Sequence, residues 1–423
     1  MEETKRDSTL RPDSAPPSPP PRARRSARRA RPAHSAPPSH SARSAQIGGR
    51  MDYIDAAKGL AIILVVMGHV LRANTDTISP EVDDLLACLI YSFHMPLFFF
   101  VTGYCRYLSE QKRMLTLRTL GRQCEKLTRR LMSAYLLWTL IYYLIRLITT
   151  PGEPATWLTI TLTFRGVAPL WFLADLLLAE LVFLVIQWAA KGYWLVHAVG
   201  ALVTGILTTP LFQLLQSVNE LDRAMTAAET AENKLLFARA QLPYLAIEEV
   251  YNPLDHLGDY FAITGIRLVP TLFFLFTGYL TARLLAHRPL SNVVHVLIGG
   301  VALEIAAVTQ LLSGNLINLH LCVITYPQVF LLTGLLGSLG TLELCRGLNG
   351  ILPLWILRFL GKRTMGIMAV HYPPLPTIEI AGLWCLMLNP NLEFTAGLLL
   401  AQTAIAVALS AFVTVLIEKK LYL

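Results

Sequence analysis

DYIDAAKGLAIILVVMGHVL, residues 52–71, is the stretch from which the rest of the chain can be understood. From Gly59 to Gly68 no side chain is charged or able to hydrogen-bond strongly. That character suits a helix crossing a bilayer, whose hydrocarbon core, about 30 Å thick, takes roughly 20 apolar residues. Asp55, Lys58 and His69 interrupt the pattern. At about 100° per residue, Lys58 and His69 are separated by close to three full turns and Asp55 lies one turn before Lys58, so all three share a face. The rise puts His69 about 16 Å farther along the axis than Lys58. Charges and imidazoles inside a span cost several kcal/mol unless they meet partners or a polar cavity. Two accounts therefore stay open for this face: an interfacial Asp55–Lys58 ion pair with His69 bonding a neighbouring helix, or a functional site.

Outward from this stretch the same composition persists. The chain has 423 residues, 54% apolar and 15% charged, against about 25% charged in a soluble domain. Apolar segments fall at 59–73, 84–104, 131–149, 168–190, 193–216, 260–285, 291–312, 318–342, 352–376 and 394–416. The expected fold is an all-α, polytopic membrane helix bundle of about ten transmembrane helices over residues 51–420. Before it, residues 1–50 hold eleven Lys/Arg against four Asp/Glu, which supplies +7 of the net charge of +8. A Pro/Ser/Arg-rich tail of this kind cannot bury a core and is expected to be disordered and dispensable for chemistry. With the charge confined there, nucleic acid is not an expected partner, and the tail is expected to meet either an anionic bilayer surface or nothing. No apolar stretch directly follows Arg22–Arg31, so neither a secretory signal nor a twin-arginine leader is expected. The six cysteines show no CxxC spacing, and no metal site is expected.

Cytoplasmic loops carry an excess of Lys/Arg. Residues 106–130 contain eight basic residues against Glu110 and Glu125, and alternate loops repeat the bias at Lys191, Arg283, Arg288, Lys362, Arg363, Lys419 and Lys420. Both termini are thus expected in the cytoplasm of a multi-pass protein of a plasma, or bacterial inner, membrane. The 217–259 loop is expected outside, with helical spacing from Asn219 to Leu242, either as a plain connection or as part of an acceptor lid. PLFFFVTGY (96–104) and TLFFLFTGY (271–279) align without gaps. Related half-domains and compositional convergence both account for that likeness.

Three further groups bear on chemistry. In YSFHMPLFFFVTGY (91–104), His94 is expected near the depth of His69, so that two imidazoles line one cavity. In FLGKRTMGIMAVHYPPL (359–375), His371 lies roughly two turns beyond Arg363 before Pro373, Pro374 and Pro376 break the helix. Arg122, Lys126, Arg129 and Arg130 fall at i, i+4, i+7 and i+8, a spacing that serves either the positive-inside bias or a patch for cofactor phosphates. The absence of P-loop, dinucleotide-fold, GxSxG and HExxH patterns argues against ATP-driven, redox and ordinary hydrolase functions.

Taken together, Asp55–His69 (D-x-x-K-G-x-A-I-x-L-V-V-x-G-H), Phe93–Tyr104, the Arg-Arg-Leu at 129–131, Pro169–Leu173 (PLWFL) and Gly361–His371 resemble the acyltransferase-3 family of membrane O-acyltransferases, in particular its branch similar to fucose 4-O-acetylases. The family usually has Arg where this chain has Lys58, and FFxxSG where it has Phe99, Phe100, Thr102 and Gly103; Lys keeps the charge without the bidentate fork. The resemblance implies transfer of an acyl group, most often acetyl from cytoplasmic acetyl-CoA, to a hydroxyl of a cell-envelope glycan or lipid-linked sugar. On that basis the expected catalytic residues are His69, Asp55 and His94. Lys58, Arg122, Lys126, Arg129 and Arg130 are the expected donor-binding residues, and His371, Trp171 and Thr102 are further candidates. The competing expectation is a secondary transporter or exporter of a small acid or glycan that uses the same buried groups as a pathway.

Overall fold

The computed structural model describes residues 51–74, 80–112, 114–149, 160–230, 257–349, 351–372, 375–388 and 396–421. The expected disordered tail and residues 231–256 of the expected outer loop lie outside these. The helices are α1 (Asp52–Ala73), α2 (Pro80–Lys112), α3 (Leu117–Thr149), α4 (Trp171–Ala190), α5 (Trp194–Thr230), α6 (Leu257–Leu285) and α7 (Asn292–Ser313). A two-stranded hairpin, β1 (Ile317–Asn318) and β2 (Val323–Ile324), leads to α8 (Pro327–Leu348), α9 (Trp355–Gly361), α10 (Thr364–Val370), α11 (Thr377–Leu388) and α12 (Ala396–Leu421). Among the described residues nine helices are long and apolar enough to cross a membrane: α1 to α8 and α12.

Three expectations need correction. The expected span 352–376 is not one helix: it is α9 and α10, seven residues each, with the chain turning at Lys362 and Arg363. The segment's basic residues are paired with other helices: Arg358 with Asp52 of α1 at 2.5 Å and Arg363, at the turn, with Glu418 of α12 at 3.0 Å. The expected span 318–342 begins later, at Pro327, because Asn315 closes the preceding loop. Its amide donates to the Tyr326 carbonyl and its carbonyl accepts from the Tyr326 N–H, leaving proline at the first helical turn where no donor is needed. The outer helix expected from Asn219 is, as far as Thr230, the continuation of α5.

Burial separates core from perimeter. Of the α1 span 67% is buried within protein, against 22% for α3 and α7, whose exposed Leu, Ile and Val are suited to lipid. The interior helices approach closely through small residues. A Cβ on Gly103 of α2 would collide with the Leu275 carbonyl of α6, and one on Gly278 of α6 with the Phe100 carbonyl of α2. The two copies of the TGY segment therefore meet each other through reciprocal contacts, as small residues allow between membrane helices. Their tyrosines have different partners. The Tyr104 hydroxyl bonds that of Tyr53 at 3.1 Å, whereas Tyr279 donates to Glu110 at 2.5 Å. Likewise a Cβ on Gly59 would strike the Leu357 carbonyl and one on Gly361 the Asp55 carbonyl, which locks α9 against the Asp52 end of α1.

Candidate active site

Polar groups gather at two levels of α1. At the Asp52 end, Lys58 and buried Asp55 stand within electrostatic reach of Cys105, as do Arg106 and Glu180. Glu180, on α4, is almost wholly buried and takes a hydrogen bond from Arg106 and a second guanidinium, Arg130, at 3.9 Å. Arg106 also donates to Gln123 at 3.2 Å. Buried carboxylates persist only when paired, so Glu180 fixes both arginines. Arg122, Lys126, Arg129 and Arg130 lie exposed along α3, where with Glu125 they line an open groove of about 420 Å³. Glu125 pairs with Arg129 at 2.7 Å. Arg130 thus joins this exposed patch to the buried cluster beside Lys58. Farther round the same end, Arg346 stands over the Tyr53 ring at 5.7 Å and 3.8 Å from Glu343, which is paired with His295 at 2.5 Å.

At the second level, three turns along α1, the His69 Nδ1 lies 2.8 Å from Nε2 of His371, at the end of α10. His371 is fully buried and its Nδ1 lies 3.1 Å from the Ile367 carbonyl. The Tyr372 ring centre is 4.4 Å from that of His69. His94 and His320 stand within electrostatic reach of His69. The His94 Nδ1 donates to the Ile90 carbonyl at 2.7 Å, a bond along its own helix. His320, on the hairpin loop, stacks on Trp171 with rings 9° from parallel. Burial, reinforced by Arg267 and Arg165, holds the His320 imidazole well below the ordinary histidine range. On the other side of this loop, fully buried Arg267 pairs with Asp175 at 2.6 Å, donates to the His320 carbonyl at 2.9 Å and lies 4.9 Å from the Trp171 ring centre.

The expected residues thus divide between the two levels. Asp55 and Lys58 join Arg130 at one, with Arg122, Lys126 and Arg129 fanning outward from it. His69, His371 and His94 meet at the other, with Trp171 reached through His320. Thr102 stands apart, its hydroxyl donating to the Phe98 carbonyl at 2.9 Å in its own helix. Sequence reasoning passed over Arg106, Glu180, Asp175, Arg267 and His320. For Asp175, Glu180 and Arg267 the signal was present, since each falls inside an expected span and the cost of a charge in a bilayer applies to it as to Asp55. The same signal was present for His320, an imidazole inside the expected span 318–342.

The acyltransferase-3 family model, described as an acyltransferase domain, matches residues 51–417. No curated protein and no solved structure matches the chain significantly.

Proposed function

Since the chain belongs to the acyltransferase-3 family, we propose that it takes an acetyl group from cytoplasmic acetyl-CoA and delivers it to a hydroxyl of a cell-envelope glycan or lipid-linked sugar on the opposite face of a plasma membrane. The observation that carries this is the two-level arrangement of α1. One helix holds Lys58 beside a buried, arginine-rich cluster and His69 in a cluster of imidazoles. Lys58, Arg122, Lys126, Arg129 and Arg130 suit the CoA phosphates, because cations in fixed positions bind phosphate by charge-assisted hydrogen bonds. The donor's arm then extends along α1 toward His69.

At His69 the chemistry is general-base catalysis. The imidazole takes the proton of the acceptor hydroxyl as its oxygen attacks the thioester carbonyl. Collapse of the tetrahedral adduct breaks the carbon–sulfur bond, and the imidazolium returns the proton to the leaving thiolate. The products are an acetyl ester and free CoA, with no other reactant consumed.

Purified protein in lipid nanodiscs, given acetyl-labelled acetyl-CoA and a cell-envelope glycan extract, should place label in the glycan and release one thiol per ester formed. Folded protein that transfers no label overturns the reading. Vesicles that accumulate a labelled small acid without forming ester would favour a transporter.

A further inference from the structure

We infer that His371 is a positioning residue that fixes the tautomer of His69 and thereby assigns the basic nitrogen of the site to Nε2. The deduction starts at Ile367, whose carbonyl oxygen can only accept a hydrogen bond. It lies 3.1 Å from Nδ1 of His371, so that nitrogen carries hydrogen. A neutral imidazole has one protonated and one bare nitrogen. Nε2 of His371 is therefore bare, and it can meet Nδ1 of His69 at 2.8 Å only by accepting from it. His69 in turn has its hydrogen on Nδ1 and a lone pair on Nε2, with the Val65 carbonyl one turn back on α1 as a second hydrogen-bond partner of the ring. The alternative, a charged His371 donating from both nitrogens, would bury a cation with no described carboxylate hydrogen-bonded to it, at a cost of several kcal/mol.

This relay does more than hold a ring in place. When Nε2 of His69 gains a proton, the new positive charge is shared with Nδ1–H, and the lone pair of His371 faces that hydrogen. His371 cannot take a second hydrogen without losing the bond, because the lone pair of its Nε2 is already engaged with His69, and its full burial keeps solvent away. It thus plays toward His69 the part that a carboxylate plays toward a catalytic histidine elsewhere, but without a charge, which suits a site in a bilayer. His94 reaches the same tautomer alone, through Ile90, and no described side chain is hydrogen-bonded to its ring.

The inference rests on the acyltransferase reading for its catalytic consequence, not for the tautomer. Full-length protein labelled with ¹⁵N-histidine is placed in nanodiscs, and the His69 signals are identified by their loss in His69→Gln. Wild type should show a protonated Nδ1 and a bare Nε2. In His371→Leu the His69 signals should move toward a mixture of tautomers, while His371→Gln, whose amide oxygen can still accept from Nδ1–H, should keep the wild-type pattern. With acetyl-CoA and the glycan extract, His371→Leu should lower kcat by roughly 100-fold or more with little change in KM for acetyl-CoA, and His371→Gln should recover most of it. A His69 ring bare at Nδ1 in wild type overturns the inference, as does unchanged kcat in folded His371→Leu. If wild type transfers no acetyl group, the spectra still decide the tautomer.

Discussion

Gly103 and Gly278 occupy equivalent positions in two copies of one sequence motif, and each presses on the other copy's backbone: Gly103 on the Leu275 carbonyl, Gly278 on that of Phe100. A side chain at either glycine must push apart α2 and α6, two central helices. Gly103→Val and Gly278→Val should therefore destabilise by similar amounts, at least the 1–3 kcal/mol usual for overpacking. Thermal unfolding in detergent checks this; one variant tolerated while its counterpart is not would show that the contact is not reciprocal in energy.

His69→Ala should lower turnover roughly 100-fold to 10,000-fold, the range for a positioned general base, and leave acetyl-CoA binding intact. Lys58→Ala should do the converse, weakening acetyl-CoA binding by about 1.5 to 3 kcal/mol through a lost charge-assisted contact. Steady-state kinetics and calorimetric titration separate the two. Normal turnover per folded molecule of His69→Ala would remove His69 from the chemistry.

Glu180→Gln keeps shape but withdraws the charge that holds Arg106 and Arg130. The variant should raise KM for acetyl-CoA several-fold and lower stability, chiefly because Arg106, the inner of the two cations, loses its buried counter-ion. If KM stays put while stability drops, Glu180 serves folding alone.

Asp175 and Arg267 make a sharper stability test. Arg267→Met leaves a fully buried carboxylate without its cation and should cost about 3–5 kcal/mol, whereas adding Asp175→Leu should restore much of that loss. The double variant's unfolding midpoint, compared with both single variants, gives the coupling directly.

A pH dependence follows from His320. Its imidazole is held below the ordinary range in the folded protein by burial and by Arg267 and Arg165, so the unfolded chain binds the proton first. Stability from this group is complete above about pH 6.5, the unfolded histidine value, and declines as pH falls below it. The unfolding midpoint of wild type should drop as pH falls below about 6.5, with a shallower slope in His320→Gln; parallel slopes would contradict this.

Some of this was legible from one dimension. Nine expected spans correspond to long apolar helices, because a bilayer demands some 20 apolar residues of each crossing helix whatever its neighbours are. The 3.6-residue period likewise put Asp55, Lys58 and His69 on one face before any neighbour was known. Partnership was a different matter. Depth along the chain suggested His94 as the companion of His69; the hydrogen-bonded companion is His371, 302 residues away. The segment that carries it looked apolar enough to span alone, yet it breaks where Arg358 and Arg363 meet Asp52 and Glu418. Apolarity and helical period are local properties, so the sequence by itself determined nine of its ten expected spans, to within their ends, and the polar face of α1. Which imidazole meets which depends on how closely α9 can approach α1 at Gly59 and Gly361, a contact between distant segments that only the tertiary structure decided.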